Sequence, residues 1–305
     1  GPMKRVLKWT AGVVMAGLLA TGVVFWERPM GVFQELAEAR MVLDGAQSRA
    51  TTLEGIRVHY YAMGPTDGPV VVLVHGLGGR AEDWANLAPY LVRAGFRVYM
   101  PDLPGYGQSA RPADFSYSVR DEAGVVVGFL DAMGLKQVDL GGWSMGGWIA
   151  QLVAAEHPAR VKRLMLFDSA GLYVKPKWNT NLFTPRNEAE VNGLNALLTP
   201  NAQKVPGFVA KDIVRVSKQD GWVIQRALAT MLTGKDTTDA MLPKLAMPVL
   251  LIWGEKDEIT PVEQGETTHR LIPQSELNVI SGCGHLAPRQ CTKRIGPDVV
   301  GFLQQ

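Results

Sequence analysis

The chain has 305 residues, of which 47% are hydrophobic and 20% charged, with a formal net charge of +2. That length and apolar share suit one large α/β domain, or one domain with an insertion, and exclude a disordered or fibrous chain. No basic stripe or long like-charge run is present, so no nucleic-acid partner is expected. Two cysteines, Cys283 and Cys291, are too few for a disulfide framework and lack the companions of a zinc site. Free thiols are expected, with pairing only if the domain is exported.

Gly1-Pro2 ahead of Met3 reads as a remnant of tag cleavage (1–2). Lys4, Arg5 and Lys8 then precede an uncharged stretch from Trp9 to Trp26, which as a helix is about 27 Å long and nearly spans a bilayer core. A transmembrane anchor over 3–28 is expected rather than a cleavable signal peptide, because the apolar run is long for one and no A-x-A site follows promptly. The basic residues on its N-terminal side predict a cytoplasmic N-terminus and a single-pass protein whose main domain is extracytoplasmic, periplasmic in a bacterium. Gly12, Ala16 and Ala20 share one face in a small-xxx-small pattern that would permit a homodimer through this helix. Over 29–50, Phe33, Leu36, Ala37, Met41 and Val42 keep rough helical spacing, which predicts an amphipathic juxtamembrane helix.

A period-two pattern follows, with Gly55-Ile56 as the turn of an antiparallel hairpin. Val70 to Val74 is a continuous β-branched run, as in a strand buried on both faces, and it ends in His75-Gly76-Leu77-Gly78-Gly79. A helix over 81–94, a strand over 96–100, a turn-rich loop with a structural Asp102 and a helix over 117–133 come next. Val138 to Leu140 then leads into Gly142-Trp143-Ser144-Met145-Gly146, followed by a helical pattern, so Ser144 stands where strand turns into helix. A serine in so sharp a turn presents its hydroxyl above the sheet. The N–H groups of Met145 and Leu77 are placed to stabilise an oxyanion there. Trp143, His75 and Gly76 are expected beside the substrate. An idle serine in a Gly-rich turn is the plainer alternative.

Leu164 to Phe167 makes another strand, and the alternation of strand and helix predicts a mostly parallel sheet with helices on both faces. The pattern breaks over 172–242, where proline-punctuated amphipathic stretches carry Tyr173, Trp178, Phe183, Phe208 and Trp222, which predicts a helical cap over an apolar pocket. The core is thus divided into 51–171 and 243–305. Strands over 248–253 and 277–280 end in Gly254-Glu255-Lys256-Asp257-Glu258 and Gly282-Cys283-Gly284-His285, and a helix over 292–303 closes the domain.

A serine hydroxyl is a weak nucleophile; an imidazole that takes its proton and a carboxylate that orients the imidazole make it a strong one. Ser144, Asp257 and His285, in that order and each after a strand, supply the three groups. Asp257 is favoured over Asp168, which stands at the alternative acid position, and Glu255 and Glu258 read as solvated neighbours. His59, His157 and His269 lie in the hairpin or on helices.

From about residue 50 onward, HGLGG, DLPGYGQS, GWSMGG, WGEKDEITP and GCGH, in this order, resemble the α/β-hydrolase family. With the anchor and cap, the chain is most similar to membrane-anchored monoacylglycerol lipase-like enzymes and bacterial inner-membrane phospholipases and lysophospholipases. After His285, Leu286-Ala287-Pro288 departs from the His-x-Pro and nearby Glu of many relatives. The resemblance implies an α/β-hydrolase fold and hydrolysis of lipid-like carboxylic esters, monoacylglycerol or (lyso)phospholipid, without metal or cofactor. The alternatives are a general short-chain carboxylesterase, a carbon–carbon bond hydrolase of ring-cleavage products, and a non-catalytic binding module.

Overall fold

A computed structural model describes residues 2–305, with side chains from Thr10 onward. Gly1 and the side chains of Lys4, Arg5, Lys8 and Trp9 lie outside the described residues. Eight strands form one sheet: β1 (Gln47–Leu53), β2 (Ile56–Met63), β3 (Val70–Val74), β4 (Arg97–Pro101), β5 (Val138–Trp143), β6 (Val161–Phe167), β7 (Val249–Gly254) and β8 (Glu276–Ile280). Their order is β1-β2-β4-β3-β5-β6-β7-β8, antiparallel only where β2 pairs with β1 and β4. The helices are α1 (Pro2–Glu27), α2 (Pro29–Leu43), α3 (Ala88–Arg93), α4 (Val119–Ala132), α5 (Met145–Glu156), α6 (Glu188–Leu198), α7 (Gly207–Met231), α8 (Val262–Leu271), α9 (Ala287–Gln290) and α10 (Thr292–Leu303).

The continuous apolar runs of the central strands are explained by burial on both faces. Val72, Val74, Leu140, Leu166 and Leu251 point to the side covered by α4 and α5, whereas Val71, Leu73, Phe167, Leu250 and Ile252 point to the side covered by α3 and α10. Alternation along a strand sends neighbours to opposite cores, and both cores here are apolar. The parallel strands β3, β5, β6 and β7 all run one way, so the loops after them meet at one edge of the sheet.

Two expected boundaries move. The helix expected over 29–50 ends at Leu43, because Gly45 turns in the left-handed region at φ 95° and Gln47 begins the edge strand. The single helix expected over 81–94 is a 3-10 turn at Ala81–Trp84 followed by α3. Pro89 lacks the N–H that an unbroken helix would use, so the helix starts afresh there.

Between β6 and β7 the chain leaves the sheet for α6 and α7, as expected of the inserted helical segment. The N-terminal helices pack on it. Phe25 lies against Phe33 and Phe208, and Trp26 stacks on Phe208 with ring centroids 4.6 Å apart. In α1, the stretch Thr10–Glu27 has a mean hydropathy of 1.5, none of it is buried, and it is long and apolar enough to cross a membrane.

Cys283 and Cys291 form a disulfide, contrary to the free thiols expected. The short α9 and the turn before it bring the two cysteines together, a proximity that spacing alone does not reveal.

Candidate active site

At the end of β5 the backbone turns so sharply that Ser144 adopts φ 56° and ψ −117°, a region that a non-glycine residue enters only when its surroundings compel it. Glycine makes the turn possible. A Cβ on Gly142 would collide with the carbonyl of Gly146, and one on Gly146 would collide with that of Val74. The Ser144 carbonyl accepts N–H groups from Gly147, Trp148 and Ala170, and its own N–H donates to Phe167, so the strained residue is held on every side.

Ser144 Oγ lies 3.0 Å from His285 Nε2, and His285 Nδ1 lies 2.8 Å from Asp257 Oδ2. The sheet therefore brings Ser144, His285 and Asp257 into one hydrogen-bonded line. Asp257 is fixed twice over: its Oδ1 accepts the N–H groups of Ile259 and Thr260 at 2.8 and 2.9 Å, while the Thr260 hydroxyl stands 2.9 Å from Oδ2. Burial alone would push the Asp257 carboxyl up. The charge and hydrogen bond of His285, followed by a hydrogen bond with Asp168 and the Thr260 N–H, outweigh it and hold the group below the usual carboxylate range. An imidazolium facing this carboxylate would be stabilised by it.

Asp168 stands apart from that line. It is fully buried, its Oδ1 accepts the Gly254 N–H at 2.8 Å, and burial together with the charge of Asp257 drives its carboxyl well above the ordinary range. The two neighbouring carboxyls are thus pushed in opposite directions, Asp168 towards holding its proton and Asp257 towards releasing it.

The loop after β3 lies against the turn at Ser144. A Cβ placed on Gly76 would sit 3.0 Å from the Trp143 carbonyl and 3.9 Å from the Met145 nitrogen. Among the described residues neither the Leu77 nor the Met145 N–H has an acceptor, and Met145 opens α5, where the helix dipole favours negative charge. Two cavities meet at Ser144. The larger, about 400 Å³, is bordered by Trp148, Leu172, Trp178, Leu228, Met231 and Ile259, and the smaller, about 270 Å³, by Gly76, Trp143, Leu194, His285, Leu286 and Arg289. Leu77 and Phe183 border both.

Of the three residues expected beside a substrate, Gly76 and Trp143 border the smaller cavity. Trp143 does more than line it, since its indole N–H donates to the His285 carbonyl at 3.0 Å. His75 does not reach either cavity. It is fully buried, its Nδ1–H donates to the Gly76 carbonyl at 2.8 Å and its Nε2 accepts the Leu103 N–H at 3.0 Å. Burial lowers its pKa, and this neutral ring pins the loop in place. Asp102 is structural, as expected, accepting from Ala81 and Gln108 and pairing with His59 at 2.8 Å. Sequence reasoning missed Thr260 and Arg289. Thr260 carried one signal, its place three residues after Asp257, where a turn closes on an acidic side chain. Among the described residues no group of three or more His, Cys, Asp or Glu side chains is arranged to hold a metal ion.

Residues 69–288 match the family described as alpha/beta hydrolase fold. The chain belongs to that family. Within it, the hydrolase is similar in structure to a bacterial membrane phospholipase A, with a TM-score of 0.82 and 25% identity over 97% of this chain and 98% of that one. In sequence it is 27% identical to lipase 3 of Moraxella sp. (strain TA144), covering 83% of this chain and 82% of the relative. It is 30% identical to 2-hydroxymuconate semialdehyde hydrolase of Pseudomonas sp. (strain CF600), covering 82% and 92%.

Proposed function

We propose that this alpha/beta hydrolase is a membrane-anchored serine esterase that cleaves lipid-like carboxylic esters, monoacylglycerols or phospholipids and lysophospholipids. One observation carries the reading: the Ser144–His285–Asp257 line opens directly into an apolar cavity roofed by the helical segment. In the proposed reaction His285 Nε2 takes the proton of Ser144 Oγ as the oxygen attacks the ester carbonyl. The N–H groups of Leu77 and Met145 donate to the developing oxyanion. When the tetrahedral intermediate collapses, the imidazolium gives its proton to the leaving alcohol. A water molecule, deprotonated by the same nitrogen, then attacks the acyl-enzyme and frees the acid.

Several features favour a lipid over a small polar ester. The larger cavity is lined chiefly by aliphatic and aromatic side chains, which suit an acyl chain. The exposed apolar stretch Thr10–Glu27 is read as the anchor, and the likeness to a membrane phospholipase A supports that reading. The Cys283–Cys291 disulfide suits an oxidising compartment, which supports an extracytoplasmic domain.

The deciding test is hydrolysis of an ester series, from short p-nitrophenyl esters to monoacylglycerol and lysophospholipid in mixed micelles, with Ser144→Ala as the blank. Preference for the micellar lipids is expected, with Ser144→Ala slower by on the order of 10⁶-fold. Activity confined to short esters would overturn the lipid assignment. The 30% identity to a 2-hydroxymuconate semialdehyde hydrolase favours a second reading, cleavage of a carbon–carbon bond in a ring-cleavage product. Turnover of such a dienoate, with no turnover of esters, would establish it instead.

A further inference from the structure

A polar groove of about 730 Å³ shares one bordering residue, Arg289, with the smaller cavity. Five cationic side chains line it, Arg40, Arg93, Arg289, Lys293 and Arg294, against a single carboxylate, Asp44. The whole chain carries a net charge of only +2, so this concentration is local. Asp44 is engaged by Arg40 at 3.5 Å. Arg93 lies over the ring of Tyr90, and Arg294 directs its N–H groups at the Ser281 carbonyl and at the two cysteine sulfurs, which are weak acceptors. Among the described residues no carboxylate pairs with Arg93, Lys293 or Arg294, and all three are exposed. Uncompensated cations around one concave surface attract an anion, and guanidinium groups match the oxygens of a phosphate.

Arg289 ties this groove to the site. It borders both the groove and the cavity that holds Ser144 and His285. Its backbone is fixed by Asn86, whose amide donates to the Arg289 carbonyl at 2.6 Å, and its guanidinium reaches Asp83 only at 4.0 Å. A leaving group that departs from His285 on this side therefore meets Arg289 first and the remaining cations next.

We propose that the groove binds the phosphate of a phospholipid or lysophospholipid substrate and guides the glycerophosphodiester away after acyl transfer to Ser144. The acyl chain occupies the larger, apolar cavity. This assignment rests on the esterase reading and narrows it, because a neutral monoacylglycerol has nothing for the groove to hold.

The test compares lysophosphatidylglycerol with a monoacylglycerol of the same chain, in the same mixed micelles, using the full-length protein. In Arg93→Gln/Lys293→Gln the ratio of kcat/KM for the phosphate-bearing substrate to that for the neutral one should fall about tenfold, as expected for losing charge-assisted bonds to phosphate. Added salt should lower the wild-type ratio more than the variant's. A variant ratio equal to the wild type's would overturn the proposal. Lys293→Arg should restore part of the loss left by Lys293→Gln, which a mere change of folding would not predict. Binding of glycerophosphoglycerol and of inorganic phosphate to the Ser144→Ala protein, measured by calorimetry, separates the two sources of phosphate. Tighter binding of the diester, weakened in the groove variant, supports a leaving-group site. Equal binding of both would overturn it in favour of a free-phosphate site. Absence of lipid hydrolysis by the wild type would defeat the esterase reading, while calorimetry would still judge the groove.

Discussion

The N–H of Met30 donates to Oδ2 of Asp212 at 2.9 Å, joining the first turn of α2 to the long helix α7 across 182 positions of sequence. Asp212 is almost wholly buried; Arg215 donates to its Oδ1 at 2.6 Å and Arg28 approaches within 4.0 Å. With the stacked Trp26 and Phe208 beside it, this carboxylate ties the N-terminal helices to the roof of the larger cavity. Asp212→Ala would leave the half-buried Met30 N–H without its acceptor and loosen both arginines, at a cost of about 1–3 kcal/mol. Hydrogen exchange should then quicken in residues 29–43 and in the first turns of α7, with Asp212→Asn intermediate because one acceptor oxygen remains. Unchanged exchange would show that the aromatic contacts suffice.

Thr260 provides a finer test of the site. Its hydroxyl lies 2.9 Å from Asp257 Oδ2, 3.0 Å from the Asp168 carbonyl and 3.4 Å from His285 Nδ1, so it braces the acid that orients the imidazole. Thr260→Val keeps the shape and removes the bond. If the line of three residues is the catalytic one, kcat for a short ester should fall about tenfold, with KM little changed, because the bond acts on the reaction rather than on binding. Thr260→Ser should recover much of the loss. A rise in KM at constant kcat would place Thr260 in binding instead.

The order of Ser144, Asp257 and His285 after three strands was legible because β-branched and apolar runs betray buried strands, and glycine betrays sharp turns. The parallel sheet followed from the same alternation. What escaped depends on distant chain segments. His75 sits in a loop that reads as ligand-facing, yet its ring turns inward to bind Leu103, a partner 28 positions away. The Trp143 bond to the His285 carbonyl spans 142 positions, and the disulfide depends on how α9 curls the chain back. Residues 44–50 could extend a helix by periodicity; pairing of β1 with β2 decides against it.

The Cys283–Cys291 bond closes a loop with His285 inside it. Cross-linking over a sequence separation of 8 removes unfolded-state entropy worth about 2–3 kcal/mol. Its reduction should lower the thermal midpoint and, by freeing the segment that carries the imidazole, reduce kcat as well. Treating the protein with dithiothreitol, with thiol titration to verify complete reduction, checks both effects; Cys283→Ser/Cys291→Ser should resemble the reduced protein and ignore the reagent. Full activity in fully reduced protein would mean that the Trp143 bond to the His285 carbonyl alone keeps the loop in register.

Glu122 gives a prediction for pH. It lies in α4, entirely buried, and neither carboxyl oxygen has a hydrogen-bond partner. Burial, aided by the charge of Asp121, pushes its pKa well above the ordinary 4.5. The folded chain therefore holds this proton more tightly than the unfolded chain, and the associated stability is fully present below pH 4.5. It is lost as pH rises from there to the folded pKa, at up to about 1.4 kcal/mol per pH unit. Glu122→Leu, apolar and of similar size, removes that contribution. Guanidinium denaturation of both proteins from pH 5 to 8 should show the variant gaining on the wild type as pH increases, whatever slope the other carboxylates impose on both. Parallel curves would mean that Glu122 ionises in the folded protein as readily as in the unfolded one, which its unpartnered burial argues against.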